Sequence, residues 1–165
     1  MAVLPIRKFP DPVLREKTLP VEKIDDELHK LIKNMADTMY AAPGVGLAAN
    51  QVGILKSVVV VDIDEGLMVF LNPEITWYGN ETEEGEEGCL SVYPQEIQVM
   101  IPRSTKIRFK AKNEKGEPVE FEAEGLLARA LQHEVDHIHG ILILDRTSPE
   151  ERRRALKDLA GKTLV

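Results

Sequence analysis

Cysteine is almost missing from this sequence: Cys89 stands alone in 165 residues. One thiol excludes an internal disulfide framework, and a reducing cytoplasm suits such a chain. Long apolar runs are missing as well. No stretch approaches the roughly 20 apolar residues that a membrane-spanning helix needs. The opening Met1-Ala2-Val3-Leu4-Pro5-Ile6-Arg7 has neither an apolar core nor a small-residue cleavage site, so neither a secretory signal nor a transit peptide is expected. The third absence is clustered positive charge. Lys and Arg number 21 against 28 Asp and Glu, a formal net charge of −7, which argues against direct nucleic-acid binding. The one basic run, Arg152-Arg153-Arg154, sits among Glu150, Glu151 and Asp158 and reads as a solvated helix face. Repeats, low-complexity segments and linkers are absent too. Residues 1–165 therefore read as one domain, large enough to bury a core.

What is there reads as α+β, with antiparallel strands around a central helix and a further helix towards each end. Pro5, Pro10, Pro12 and Pro20 make residues 1–20 an extended arm. Ile24, Leu28, Leu31, Ile32, Met35 and Met39 recur at helical spacing and predict a helix over about 25–40, with His29 on its polar side. Ser57 to Asp62 is a β-branched run typical of a buried strand. Leu67 to Leu71 predicts a second strand, closed by Asn72-Pro73, and residues 79–87 an exposed loop or edge. Ile97 to Ile101 and Thr105 to Lys112 read as strands, the latter turning at Asn113-Glu114-Lys115-Gly116 into a return strand. Ile141 to Leu144 predicts a short strand. Ser148-Pro149-Glu150-Glu151 is a capping box with proline at the first helical position, opening a last helix through about Leu159.

The chemistry starts at His133-Glu134-Val135-Asp136-His137. On a helix, residues i and i+4 share a face, so two imidazoles at that spacing can hold one metal ion. The glutamate beside the first histidine can then serve a metal-bound water as general base and acid. The Leu- and Ala-rich stretch from Gly125 to Gln132 supports the helix, and Gly140 suits its stop. Two core histidines satisfied by ordinary hydrogen bonds would leave the same pattern.

Two other stretches bear on the choice. Cys89 lies in Glu87-Gly88-Cys89-Leu90-Ser91. A lone cysteine is commonly a small buried hydrophobe. As a thiolate, it would complete a three-ligand catalytic site with one open position. Gly44-Val45-Gly46-Leu47-Ala48-Ala49-Asn50-Gln51 suggests backbone passing close to a ligand, with the Gln51 amide as an oxyanion donor; a tight turn into a strand reads equally well.

Taken together, GVGLAANQ at 44–51, EGCLS at 87–91 and HEVDH at 133–137 resemble the three motifs of the peptide deformylases, and the likeness runs from about Phe9 to the C-terminal helix. The capped last helix is similar to the bacterial type of that family. The resemblance implies a metal-dependent hydrolase that removes the formyl group from N-formyl-methionine on new polypeptides. It implies Cys89, His133 and His137 as metal ligands, Glu134 as general base and acid, and the Gln51 side chain with the Leu90 N–H as oxyanion donors. Fe(II) is the expected ion, with zinc or nickel also able to occupy the site. Gly44, Val45, Gly46 and Leu126 are expected to border the substrate. Glu87, Arg103 and Asp136 are expected to orient the ligands. The expected partners are nascent formyl-methionyl chains and the ribosome that carries them, and a cytoplasmic monomer is expected.

The sequence departs from the family pattern in two places. The segment Tyr93 to Gln98 is longer than in common bacterial members, and Gly85 stands where a larger apolar residue often forms the pocket wall. His139, two residues past His137, falls on another helix face and is expected to lie outside the metal sphere. Two other readings compete. A zinc endopeptidase usually takes its third ligand from beyond the helix, whereas here the cysteine precedes it. A non-catalytic module would be expected to have lost Glu134 or Gln51.

Overall fold

A computed structural model describes residues 2–92 and 97–163. The helices are α1 (Asp26–Ala41), α2 (Gly125–Ile138), the single turn α3 (Ile143–Arg146) and α4 (Pro149–Thr163). The strands are β1 (Gly46–Ala48), β2 (Val58–Val61), β3 (Met68–Tyr78), β4 (Thr82–Glu87), β5 (Val99–Ser104), β6 (Lys106–Lys112) and β7 (Pro118–Glu124). Five of them form an antiparallel sheet in the order β1-β2-β3-β6-β7, and β4 pairs with β5 separately.

The valine run of β2 shows why this sheet forms where it does. Val58 and Val60 pack with Leu28, Met35 and Met39 of α1, while Val59 and Val61 pack with Ala128, Leu131 and Val135 of α2. Successive side chains of a strand point to opposite faces, so a strand wedged between two helices must be apolar at every position. A third cluster joins Cys89, Val99 and Ile101 to Ile143, Leu144 and Ala155, tying the two-stranded sheet to α3 and α4. None of the described helices is long and apolar enough to cross a membrane.

Three local expectations need correction. Asn72-Pro73 does not close its strand: β3 runs on to Tyr78 through two register irregularities against β6. A bulge lets a proline sit in a strand without its missing N–H breaking the ladder. Asn72, at φ +53°, uses its side chain to accept from the Val21 N–H at 2.7 Å and donate to the Val21 carbonyl at 3.0 Å. Ile141 to Leu144 is not a strand, because the Asp145 carboxylate accepts from the Leu142 N–H at 2.9 Å and starts the turn α3. The proline-rich arm is extended except for a short 3₁₀ turn at Pro12–Arg15, where Asp11 accepts from the Val13 N–H.

The other elements agree with the sequence pattern to within a few residues. Residues 82–87 of the expected exposed edge are strand β4. Ser148 caps α4 by accepting from the Glu151 N–H at 3.2 Å. Residues 93–96 of the 93–98 segment lie outside the described residues.

Candidate metal centre

Helix α2 follows directly from β7 through Gly125, whose φ of +64° turns the chain sharply. Ala128, Leu131, Val135 and Ile138 bury one face against the sheet. That anchoring aims the neighbouring face, with Ala130, His133, Glu134 and His137, at β1 and the stretch around Cys89. At the helix end Gly140 adopts φ +77°, and a Cβ there would collide with the Arg15 carbonyl. Glycine is therefore required twice over, for its backbone angle and for the close approach of the arm.

Cys89 Sγ lies 3.2 Å from His137 Nε2, which lies 3.2 Å from His133 Nε2, and the donor atoms of all three residues fall within 4.8 Å of one another. Ligand atoms around a tetrahedral ion, at about 2.0–2.1 Å for nitrogen and 2.3 Å for sulfur, stand about 3.3–3.6 Å apart. The donor set and its spacing therefore fit a single divalent ion. The electrostatics fit as well. Burial raises the Cys89 thiol, but the charges and hydrogen bonds of His137 and His133 outweigh it and pull the thiol well below its usual range. Burial also pushes His133 down, and its bonds to Cys89 and Glu87 more than reverse this. These atoms stabilise an anionic sulfur beside positive charge, which is what a metal supplies.

Glu134 is 4 % exposed, and its Oε1 has no hydrogen-bond partner among the described residues. Burial raises its carboxyl, against the lowering effect of His133 and His137. Gly46 of β1 makes room for it, since a Cβ at that position would lie 2.5 Å from Glu134 Oε2. Gln51 is buried in the 3₁₀ turn that follows β1. Its Oε1 accepts from the Ala48 N–H at 2.9 Å, which turns the Nε2 group towards Ser91 Oγ at 3.1 Å and Cys89 Sγ at 3.7 Å. The Leu90 N–H donates to none of the described residues.

Behind the donors runs a buried ionic network. Glu87 Oε1 is 2.9 Å from His133 Nδ1, which leaves Nε2 of that ring facing the cluster. Arg103 grips Glu87 with two bonds of 2.9 Å and reaches Asp136 at 2.6 Å. Both acids that sequence singled out thus share one arginine. Burial would raise the Glu87 carboxyl, but the bonds from His133 and Arg103 hold it far below the usual range.

The sequence reading missed three contributors. Arg129 donates to Glu87 at 2.6 Å, Arg146 to Asp136 at 2.9 Å, and Asn50 to the His137 carbonyl. Arg129 lies four residues before His133, so helical spacing was the signal that could have found it. Arg146 and Asn50 carry no such signal. His139 and His29 are both exposed and outside the cluster. His29 Nε2 lies 3.1 Å from the Glu114 carbonyl.

A cleft of about 300 Å³ opens on the donors, bordered by Gly44, Val45, Gly46, Leu126, Ala130 and His133. All four residues expected to border the substrate lie there together. Gly85 does not border this cleft; it faces the Arg129 guanidinium instead.

A sequence profile described as polypeptide deformylase matches residues 3–153. A peptide deformylase from Thermotoga sp. (strain RQ2) is 52% identical over 158 residues, covering 94% of this chain and 95% of that one. One from Clostridium botulinum is 55% identical over 148 residues, covering 90% and 99%. Among solved structures, a peptide deformylase from Legionella pneumophila superposes with a TM-score of 0.91 at 42% identity, covering 98% of this chain and 96% of that one. The crystal structure of peptide deformylase from Thermotoga maritima gives 0.87 at 50% identity, covering 90% and 100%.

Proposed function

This chain belongs to the polypeptide deformylase family and is an enzyme, and from that premise we propose that it hydrolyses the formyl group from N-formyl-methionine at the N-terminus of newly made polypeptides. The observation that carries this reading is the convergence of Cys89, His133 and His137 on one point, with the Glu134 carboxylate beside it in the space left by Gly46.

Cys89, His133 and His137 would hold the divalent ion, with Fe(II) the expected occupant and zinc or nickel compatible with the same donors. Such an ion supplies Lewis acidity, lowering the pKa of a water and polarising the formyl carbonyl. Glu134 takes a proton from the attacking water as its oxygen bonds to the formyl carbon. Burial suits this role, because it raises the carboxyl and so makes it a better proton acceptor than an exposed glutamate. As the carbon–nitrogen bond breaks, Glu134 gives the proton to the leaving amine, so that one water and one formamide become formate and a free N-terminus. The Gln51 Nε2 group and the Leu90 N–H donate to the oxyanion in between; one such donor is typically worth about 2.7–4 kcal/mol. Arg103 and Glu87 keep the His133 ring from turning.

The outer edge of β1 offers the peptide an extended partner, since among the described strands β1 pairs with β2 alone. The methionine side chain fits the cleft between Val45, Leu126 and the His133 ring. The enzyme would act as a cytoplasmic monomer on chains leaving the ribosome. Formate release from formyl-Met-Ala-Ser, run beside a casein digest, tests the reading. Formate with intact casein is expected. Casein cleavage without formate release would favour the endopeptidase reading, and inactivity on both a non-catalytic module.

A further inference from the structure

Arg129 does more than complete the charge balance around Glu87. Its Nη1 donates to Glu87 Oε2 at 2.6 Å and to the Ile101 carbonyl at 3.1 Å, and its Nη2 donates to the Glu83 carbonyl at 2.7 Å. The side chain thereby spans β4 and β5 from its own helix. Gly85, paired with Ile101, lies directly beneath it. A Cβ on Gly85 would stand 3.0 Å from Arg129 Cζ, 3.2 Å from Nη2 and 3.3 Å from Nε. These near-equal distances put the flat guanidinium over the glycine backbone.

The position of this seat matters because two cavities meet at it. Arg129 and Leu126 border the substrate cleft, and they also border a second cavity of about 290 Å³ lined by Glu83, Gly85, Arg103 and Thr105. Leu126 is 59 % exposed, whereas Arg129 is pinned by three hydrogen bonds. The fixed part of the wall between the cavities is therefore the arginine.

We propose that Arg129, seated on Gly85, is a specificity-determining residue that sets the depth of the pocket for the substrate's first side chain. The inference rests on the deformylase reading given above. With the guanidinium in place the pocket ends at the wall and takes a side chain of methionine length. With it removed, the cleft runs on into the second cavity.

The experiment compares kcat/KM for formyl-Met-Ala-Ser with that for the same peptide carrying 2-aminooctanoic acid, whose side chain is two atoms longer. The ratio of the two isolates pocket depth, because any loss from a disturbed Glu87 affects both substrates alike. Arg129→Ala should raise the long-to-methionine ratio about tenfold or more, the scale of discrimination by a methylene or two in an apolar pocket. Arg129→Met keeps a long stem in the seat but loses all three hydrogen bonds, and should leave the ratio within about threefold of the parent. Should the alanine variant not fold, Arg129→Lys, which lacks the flat head, should move the ratio in the same direction by less. An unchanged ratio in Arg129→Ala, or in Arg129→Lys where that variant stands in, overturns the proposal. So does an equal rise in Arg129→Met, which would show that the ratio does not depend on how the seat is filled. Parent enzyme that releases no formate from formyl-Met-Ala-Ser would instead overturn the deformylase reading itself.

Discussion

Around Glu87 the polar atoms are paired, whereas at Glu134 and at His137, one turn along α2 from His133, some of them lack a partner among the described residues. Each Glu87 oxygen accepts two bonds, from His133 and Arg103 on one side and from Arg103 and Arg129 on the other. Asp136 is held likewise by Arg103 and Arg146. By contrast, the buried side-chain atoms without a partner among the described residues are Glu134 Oε1, His137 Nδ1 and Asn50 Oδ1. Asn50 itself donates to the His137 carbonyl, so two of the three atoms belong to residues that touch one another. Buried polar groups are normally satisfied, and exceptions concentrate where chemistry is done. The difference separates a frame whose charges are matched by other side chains from a site whose donor atoms converge on one point.

That contrast can be broken at either region. The largest effect should come from removing the ion. Chelation should abolish formate release and unmask one reactive thiol per chain, since a coordinating sulfur shares its lone pair with the metal. Thiol titration has no background, because Cys89 is the only cysteine. Equal thiol rates in folded apoprotein and metal-filled protein would remove Cys89 from the ligand set.

Glu134→Gln should retain the metal and lower kcat by about 10²–10⁴-fold, the usual contribution of a general acid–base. Metal content and turnover measured on one preparation check this, and near-parent turnover would count against the assigned role. Gln51→Ala should cost about 10²–10³ in kcat with little change in KM, because an oxyanion donor acts when charge develops. An effect confined to KM would make Gln51 a ground-state contact.

The completed frame should respond in stability. Arg103 is 6 % exposed, and Arg103→Met leaves Glu87 and Asp136 short of their shared cation. Breaking a buried pair in this way typically destabilises by about 3–5 kcal/mol, which urea unfolding would register. The pH dependence has a definite sign. The folded Glu87 carboxyl lies below its ordinary value of 4.5, so its stabilisation is present above that value and fades as pH falls beneath it. The stability gap between parent and Glu87→Gln should therefore narrow in acid. The smallest effect belongs to the exposed histidines: His139→Ala and His29→Ala should leave metal stoichiometry unchanged, and metal loss in either would redraw the ligand set.

Helices α1, α2 and α4, the β6–β7 hairpin and the metal-binding pentapeptide were legible in the sequence because their signals are local. Apolar spacing of three and four residues exposes a helix, alternation exposes the hairpin, and HExxH puts two imidazoles on one face whatever surrounds it. Gly46 was legible as a place of close approach, although not that the Glu134 carboxylate would be the group approaching. Elsewhere local cues misled. Pro73 reads as a strand end until β6 accommodates it in a bulge, and Ile141 to Leu144 is too short for its periodicity to tell helix from strand.

By itself, then, the sequence determined which donors exist and which of them share a helix face, because covalent spacing and helical geometry suffice for that. Only the tertiary structure decided that Cys89 meets the two histidines, that one arginine serves both acids, and that Arg129 lies over Gly85. Each of these joins side chains on separate elements, and their approach is dictated by how α2 packs between the two sheets. No local pattern carries that distance.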